Sequence, residues 1–278
     1  MPTHSVGPEI IAFYSETISE SDRLSSSADG MLEMVRTQEL LRRHLPPAPA
    51  RVIDIGAGPG AHARWLAEDG YEVDLVDPVP RHVEEATAAG FNSTLGDARA
   101  LAADDGTYDV ALVLGPLYHL LDHADRIRAL REAVRVVRPG GLVAAAAIGR
   151  YASLFEHVAT TMLTVDRVRD AVADILDSGI HEPGRKGFTS AYFHTGEGLA
   201  AEMREAGLGA PRVYGIEGPA WSALKATEQH TGDGLIGSKM FEAALTAARL
   251  AEPHPDLLSA SSHMLAVATV QAPRRRTS

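Results

Sequence analysis

The stretch that most constrains the fold is "VIDIGAGPG", residues 52–60, where an apolar, strand-like run carrying one aspartate opens into glycines at 56, 58 and 60. Glycines spaced in this way permit positive φ and let backbone N–H groups approach a ligand. The run therefore reads as a strand turning sharply into a helix over a bound group. The sequence that follows agrees. Short apolar runs at 51–55, 72–76, 91–95, 108–114 and 141–148 alternate with amphipathic segments at 61–69, 79–89 and 123–138. The last of these carries Ile127, Leu130, Val134 and Val137 on one stripe before "RPGG" breaks it. Such alternation predicts an open, mostly parallel sheet covered on both faces by helices.

The flanks depart from that rhythm. Residues 9–45 read as helical, with Leu32, Val35, Leu40, Leu41 and Leu45 near helical spacing until "PPAP" stops them. Apolar residues recur every three or four positions over 153–178, "HEPGRKGF" marks a loop, and a helix at 196–206 is expected to start from an N-cap at Thr195. A strand at 212–217, helices over about 220–252 and a last strand at "HMLAVATVQ" complete the chain. The expectation is an α/β, Rossmann-like doubly wound, mostly parallel seven-stranded sheet with helical cap insertions. Its parts are an N-terminal helical cap at 1–50, a core at 51–149 continued at 191–218, insertions at 150–190 and 219–256, and a final strand and tail at 257–278.

Composition narrows the function classes. With no cysteine among 278 residues, disulfides, thiolate metal sites and a Cys nucleophile are excluded. A net charge of −11 opposes nucleic-acid binding, and the one basic cluster, Arg274, Arg275 and Arg276, reads as a solvated tail. The sequence has neither an apolar run near membrane-spanning length nor a signal-peptide pattern at its start, so the expected location is cytoplasmic, without membrane contact.

The glycine loop alone leaves the ligand open, because Gly56, Gly58 and Ala61 also satisfy a dinucleotide fingerprint. Asp54 two residues before the first glycine, Pro59 in the turn and Asp77 at the end of the second strand make the pattern more specific. Together, "VIDIGAGPG", "VDLVDPVPRHVEEA", "LGDARAL", "YDVALVLGPLYHLL" and "VVRPGGLVAAAAI" resemble the successive motifs of the class I S-adenosylmethionine-dependent methyltransferases. The resemblance implies that Gly56, Gly58 and Gly60 pack on the methionine part of S-adenosylmethionine. It implies that Asp77 chelates the ribose hydroxyls, that Asp97 and Ala98 meet the adenine, and that Pro78 and Leu114 complete the cofactor wall. Asp54 would order the loop or meet the methionine amino group. A sulfonium and an ammonium suit an acidic entrance better than the phosphates of a dinucleotide do.

Methyl transfer is an in-line displacement that needs a positioned nucleophile more than covalent machinery. Tyr118 and His119 in "GPLYHLL" fall after the fourth strand, near the expected reaction point, and an imidazole of ordinary pKa suits a general base. His119 and His123 are four apart, but the glutamate of a zinc motif is replaced by Leu120 and no third ligand is apparent, so no metal is expected there. Arg36 is a candidate for the methionine carboxylate, with an ion pair to Glu33 on a solvated helix face as the alternative. Tyr14 and Arg23 are weaker candidates of the same kind. Tyr192, His194, Glu217 and Trp221 are candidates for an acceptor pocket under the inserted helices, with packing or capping as the alternative. The expected partner is a small-molecule acceptor, with a homo-oligomer left open. Rival readings are an NAD(P)-dependent oxidoreductase and a non-catalytic S-adenosylmethionine-binding protein.

Overall fold

Seven strands form one sheet in the order β3-β2-β1-β4-β5-β9-β8 in the computed structural model, which describes residues 24–182 and 189–271. The strands are β1 (Arg51–Ile55), β2 (Glu72–Asp77), β3 (Asn92–Leu95), β4 (Tyr108–Val113), β5 (Val137–Ile148), β8 (Leu208–Gly215) and β9 (His263–Val270). The first five are parallel, and β9 runs antiparallel between β5 and β8. All the parallel strands therefore end, and β9 begins, at the same edge of the sheet. The order reverses between β1 and β4, which opens a crevice at that edge.

The helices are α1 (Ala28–Arg42), α2 (Ala61–Glu68), α3 (Pro80–Ala88), the single turn α4 (Pro116–His119), α5 (His123–Val136), α6 (Ala152–Ala159), α7 (Asp166–Ser178), α8 (Gly196–Glu205), α9 (Trp221–Thr231) and α10 (Lys239–Ala251). On one face Leu130 and Ala133 of α5 and Leu199 and Met203 of α8 pack on Val143 and Ala266. On the other, Leu40 and Leu41 of α1 and Trp65 and Leu66 of α2 pack on Val52, Leu112 and Leu265. The outer side of α1 is buried as well, with Leu32 against Trp221, Leu224 and Phe241. This explains why α1 carries apolar residues around much of its girth.

Local chemistry sets several boundaries. Ser27 starts α1 by accepting from the Gly30 N–H at 3.2 Å, and residues 9–23 of the helical span expected at 9–45 lie outside the described residues. Thr195 caps α8 as expected, accepting from Gly198 N–H at 3.0 Å. The strand expected at 212–217 is displaced: β8 begins at Leu208, and a register shift between Gly209 and Arg212 with Ala210 at φ +48° hides it behind residues that read as a turn. Ahead of α8 and β8, the segment from 191 forms β7 (Ala191–Tyr192), which pairs antiparallel with β6 (Ile180–His181) outside the main sheet. Among the described residues no helix is long and apolar enough to cross a membrane.

Candidate active site

The crevice holds a cavity of about 240 Å³ lined by the glycine loop, the ends of β1, β2 and β4, the start of β9, and α1. Gly56 and Gly58, at φ +71° and +55°, form its floor. A side chain at Gly56 would stand 2.7 Å from Cγ of Pro116, so the loop packs against the turn after β4 with no room for a methyl. Gly60 differs from the expectation. It begins α2 at φ +89° with Leu75 beneath it and does not line the cavity, so its role is to turn the chain.

Two buried carboxylates bracket the loop. Asp77 at the end of β2 is 3% exposed and accepts from Gly58 N–H at 2.7 Å and Val79 N–H at 2.9 Å, with His82 Nδ1 3.0 Å from the same oxygen that Val79 uses. Asp54 in β1 is 2% exposed, and its Oδ2 has no hydrogen-bond partner within the protein. Burial, and then the neighbouring Asp77 charge, push the Asp54 carboxyl up to about 7. An orphaned, buried carboxylate oxygen facing a cavity fits a cationic ligand group. In all, Glu33, Asp54, Asp77, Asp97, Asp122 and Asp125 line the space against one guanidinium, Arg99.

Pro78, Ala98 and Leu114 also line the cavity, as does Asp97. Asp97 is held in place by Arg99, which grips it through Nε and a terminal nitrogen at 2.9 and 2.6 Å while reaching Asp125 at 2.6 Å. Tyr118 and His119 stand side by side on α4 with ring centres 4.6 Å apart, and His119 Nδ1 lies 3.3 Å from the Thr189 hydroxyl. The ordinary imidazole pKa expected of His119 is not what its surroundings give. Burial pushes it down to about 4, so it is neutral at pH 7.

Other sequence candidates are engaged elsewhere. Arg36 is fully buried and turned away from the cavity, donating to the Ile216 carbonyl at 3.3 Å and pairing with Glu39 and with Glu252 at 2.7 Å. It ties α1 to α10 and does not reach for a ligand. Trp221 is core, its indole donating to the Ala260 carbonyl at 2.9 Å. Tyr192 stacks under the Arg126 guanidinium at 3.7 Å, and His194 Nε2 meets Glu202 at 3.0 Å, so both belong to a polar cluster between α5 and α8 and not to the cavity wall. Glu217 stands behind His263, which does line the cavity. Tyr14 and Arg23, and the arginines at 274–276, lie outside the described residues. Sequence reasoning passed over His82, Arg99 and Asp125, Thr189 and His263. His82 is visible in retrospect as the fifth residue after Asp77, one helical turn into α3. The others come from distant segments with no local signature.

The strand order, the reversed last strand and the glycine loop at the switch point define the class I methyltransferase fold. Residues 52–141 match the family described as methyltransferase domain. An uncharacterized methyltransferase of Mycobacterium bovis is 40% identical over 99 residues, covering 35% of this chain and 39% of its own. A ubiquinone biosynthesis O-methyltransferase of Methylocella silvestris is 32% identical over 137 residues, covering 46% of this chain and 52% of its own. The matches therefore span about half or less of these relatives' length. A solved S-adenosylmethionine-dependent methyltransferase of Methanosarcina mazei superposes with TM-score 0.55 at 16% identity, covering 84% of this chain and 98% of that one. Residues 52–141 are thus similar to the methyltransferase-domain family, on a fold shared with S-adenosylmethionine-dependent methyltransferases.

Proposed function

We propose that the protein transfers the methyl group of S-adenosylmethionine to a small-molecule acceptor through an oxygen or nitrogen nucleophile. The observation that carries this reading is the pair of buried carboxylates on either side of the glycine loop, one with an oxygen that nothing in the protein satisfies. The ammonium of the methionine moiety suits Asp54, and the ribose hydroxyls suit Asp77. A carboxylate offers about four acceptor sites, and Asp77 uses three of them on Gly58, Val79 and His82, so the second hydroxyl enters as His82 turns aside. The adenine suits Asp97 and Ala98, which line the cavity.

The acceptor approaches from the α4 side, where Tyr118 and neutral His119 hold its nucleophile about 3 Å from the methyl carbon, opposite sulfur. The acceptor's lone pair forms the new bond to carbon and the S–C electron pair returns to sulfur. The packing of α1 against α9 and α10 supports a small acceptor, since it holds α1 as one wall of a cavity of about 240 Å³. A dinucleotide reading would set a pyrophosphate among six carboxylates, which the charge of the cavity disfavours. Calorimetry with S-adenosylhomocysteine and with NAD+ separates these two, and turnover of labelled methyl groups over an acceptor panel separates an enzyme from a non-catalytic binder.

A further inference from the structure

Beyond the glycine loop the cavity reaches a polar cluster that the cofactor does not need. Glu33 of α1, Glu217 in the turn after β8 and His263 at the start of β9 bring one ligand atom each to within 4.8 Å of one another. The topology produces the meeting. The end of β8 and the start of antiparallel β9 share one edge of the sheet, and α1 packs against β9. Glu33 and His263 line the cavity, while Glu217 is 2% exposed.

We propose that these three side chains hold a divalent transition-metal ion at the end of the cavity where α1 meets β8 and β9. The ion's catalytic role rests on the methyl-transfer reading, whereas its binding does not. His263 Nδ1 lies 2.5 Å from Glu217 Oε1 and 3.7 Å from Glu33 Oε2. Ligand atoms about 2.0–2.2 Å from such an ion stand about 3–3.5 Å from each other. The first separation therefore opens by less than about an ångström and the second closes by about half of one. The ion takes the place of the direct contact between His263 Nδ1 and Glu217 Oε1.

The ligand loops are fixed in advance. The second oxygen of Glu217 accepts from the Ser261 hydroxyl at 2.7 Å and from His263 N–H at 2.9 Å. The Ser261 oxygen in turn accepts from the Glu217 and Gly218 N–H groups at 2.9 and 3.2 Å. Outer hydrogen bonds of this kind orient a ligating carboxylate. One imidazole with two carboxylates suits zinc, manganese or ferrous iron better than magnesium or calcium, which favour all-oxygen sites. Three protein ligands leave positions for a substrate oxygen, as in zinc sites that act on substrates.

The acceptor class this implies is a compound with a hydroxyl able to enter the metal's open position. Its O–H proton passes to water, its oxygen forms the bond to the methyl carbon, and the S–C electron pair stays with sulfur as the thioether.

The test is titration of the chelator-stripped full chain with Mn2+, followed by electron paramagnetic resonance, with Zn2+ as competitor. The expected result is one Mn2+ per chain, displaced by Zn2+, with affinity at least tenfold weaker in Glu33→Gln and in His263→Gln. Glu33→Gln leaves the Ser261–Glu217 network intact and so keeps the fold, which circular dichroism on the same samples verifies. No stoichiometric binding to the wild type, or undiminished binding in both variants, overturns the site. S-adenosylhomocysteine calorimetry on these samples keeps the two readings apart. Cofactor binding without Mn2+ binding removes the metal site alone, and Mn2+ binding without cofactor binding removes the cofactor assignment alone.

Discussion

Asp54 is the residue whose environment departs furthest from that of an isolated side chain, and its titration gives a signature that needs no acceptor. With its pKa at about 7 the carboxyl is largely protonated at pH 6, and an ammonium placed against it favours the ionised form. Binding of S-adenosylhomocysteine at pH 6 should therefore release about one proton, read as a dependence of the calorimetric enthalpy on buffer ionisation heat. Asp54→Asn should abolish the release. The same shift acts on stability. A carboxyl raised from 3.8 to about 7 contributes stability below its unfolded pKa that is lost as pH rises through 7. His119, lowered to about 4, contributes fully above 6.5 and loses its contribution as pH falls toward 4. The two slopes oppose one another between about 4 and 6.5, so the Asp54 effect stands alone from pH 6.5 to 8. There the ligand-free wild type should lose more melting temperature than Asp54→Asn does.

Two further residues make separable predictions. Asp77→Ala removes charge-assisted bonds to ribose worth about 1.5–3 kcal/mol each, so S-adenosylhomocysteine affinity should fall at least tenfold. Unchanged affinity in calorimetry would remove the ribose assignment. Because Asp77 also holds Gly58 and Val79, some melting temperature should go with it. His119→Asn should lower the maximal rate about tenfold to a hundredfold through lost positioning, and the pH–rate profile of the wild type should show no limb above about pH 5 that the variant lacks. A wild-type acid limb near 6.5 that vanishes in the variant would restore a titrating base at this position.

At the scale of elements, the N-terminal helix shows where sequence reasoning stops. The alternation of apolar runs located the five parallel strands to within a few residues, because the inner ones bury apolar side chains on both faces and end in a turn, while the exposed edge strand β3 follows from its place in the alternation. The glycine loop and the acid ending β2 were readable for the same reason, since their spacing is local. The direction in which α1 points Arg36 was not readable. It depends on Glu252 and the Ile216 carbonyl, both more than 170 residues away in sequence. Likewise His263 and Glu217 meet only because β9 reverses beside β8. Arg36→Ala should cost about 3 kcal/mol of stability, as expected when one member of a buried ion-pair network is removed. Affinity of the folded protein for S-adenosylhomocysteine should stay near wild type. A selective loss of binding with an unchanged melting temperature would instead return Arg36 to the ligand.

For the whole molecule, the net charge of −11 gains meaning from where the carboxylates converge. Six of them line one cavity at the sheet's carboxyl edge, closed on one side by a helix that is itself buried between the sheet and α9 and α10. That arrangement favours a cationic cofactor and penalises a phosphate-bearing one. A ligand that binds only the folded state should also raise the melting temperature, by an amount that grows with the logarithm of its concentration over its Kd. The most direct measurement is calorimetric titration of the full chain at pH 7.5 with S-adenosylhomocysteine and, separately, with NAD+. The account predicts one S-adenosylhomocysteine per chain and no heat of binding from NAD+. Saturable NAD+ binding with no S-adenosylhomocysteine binding would contradict it.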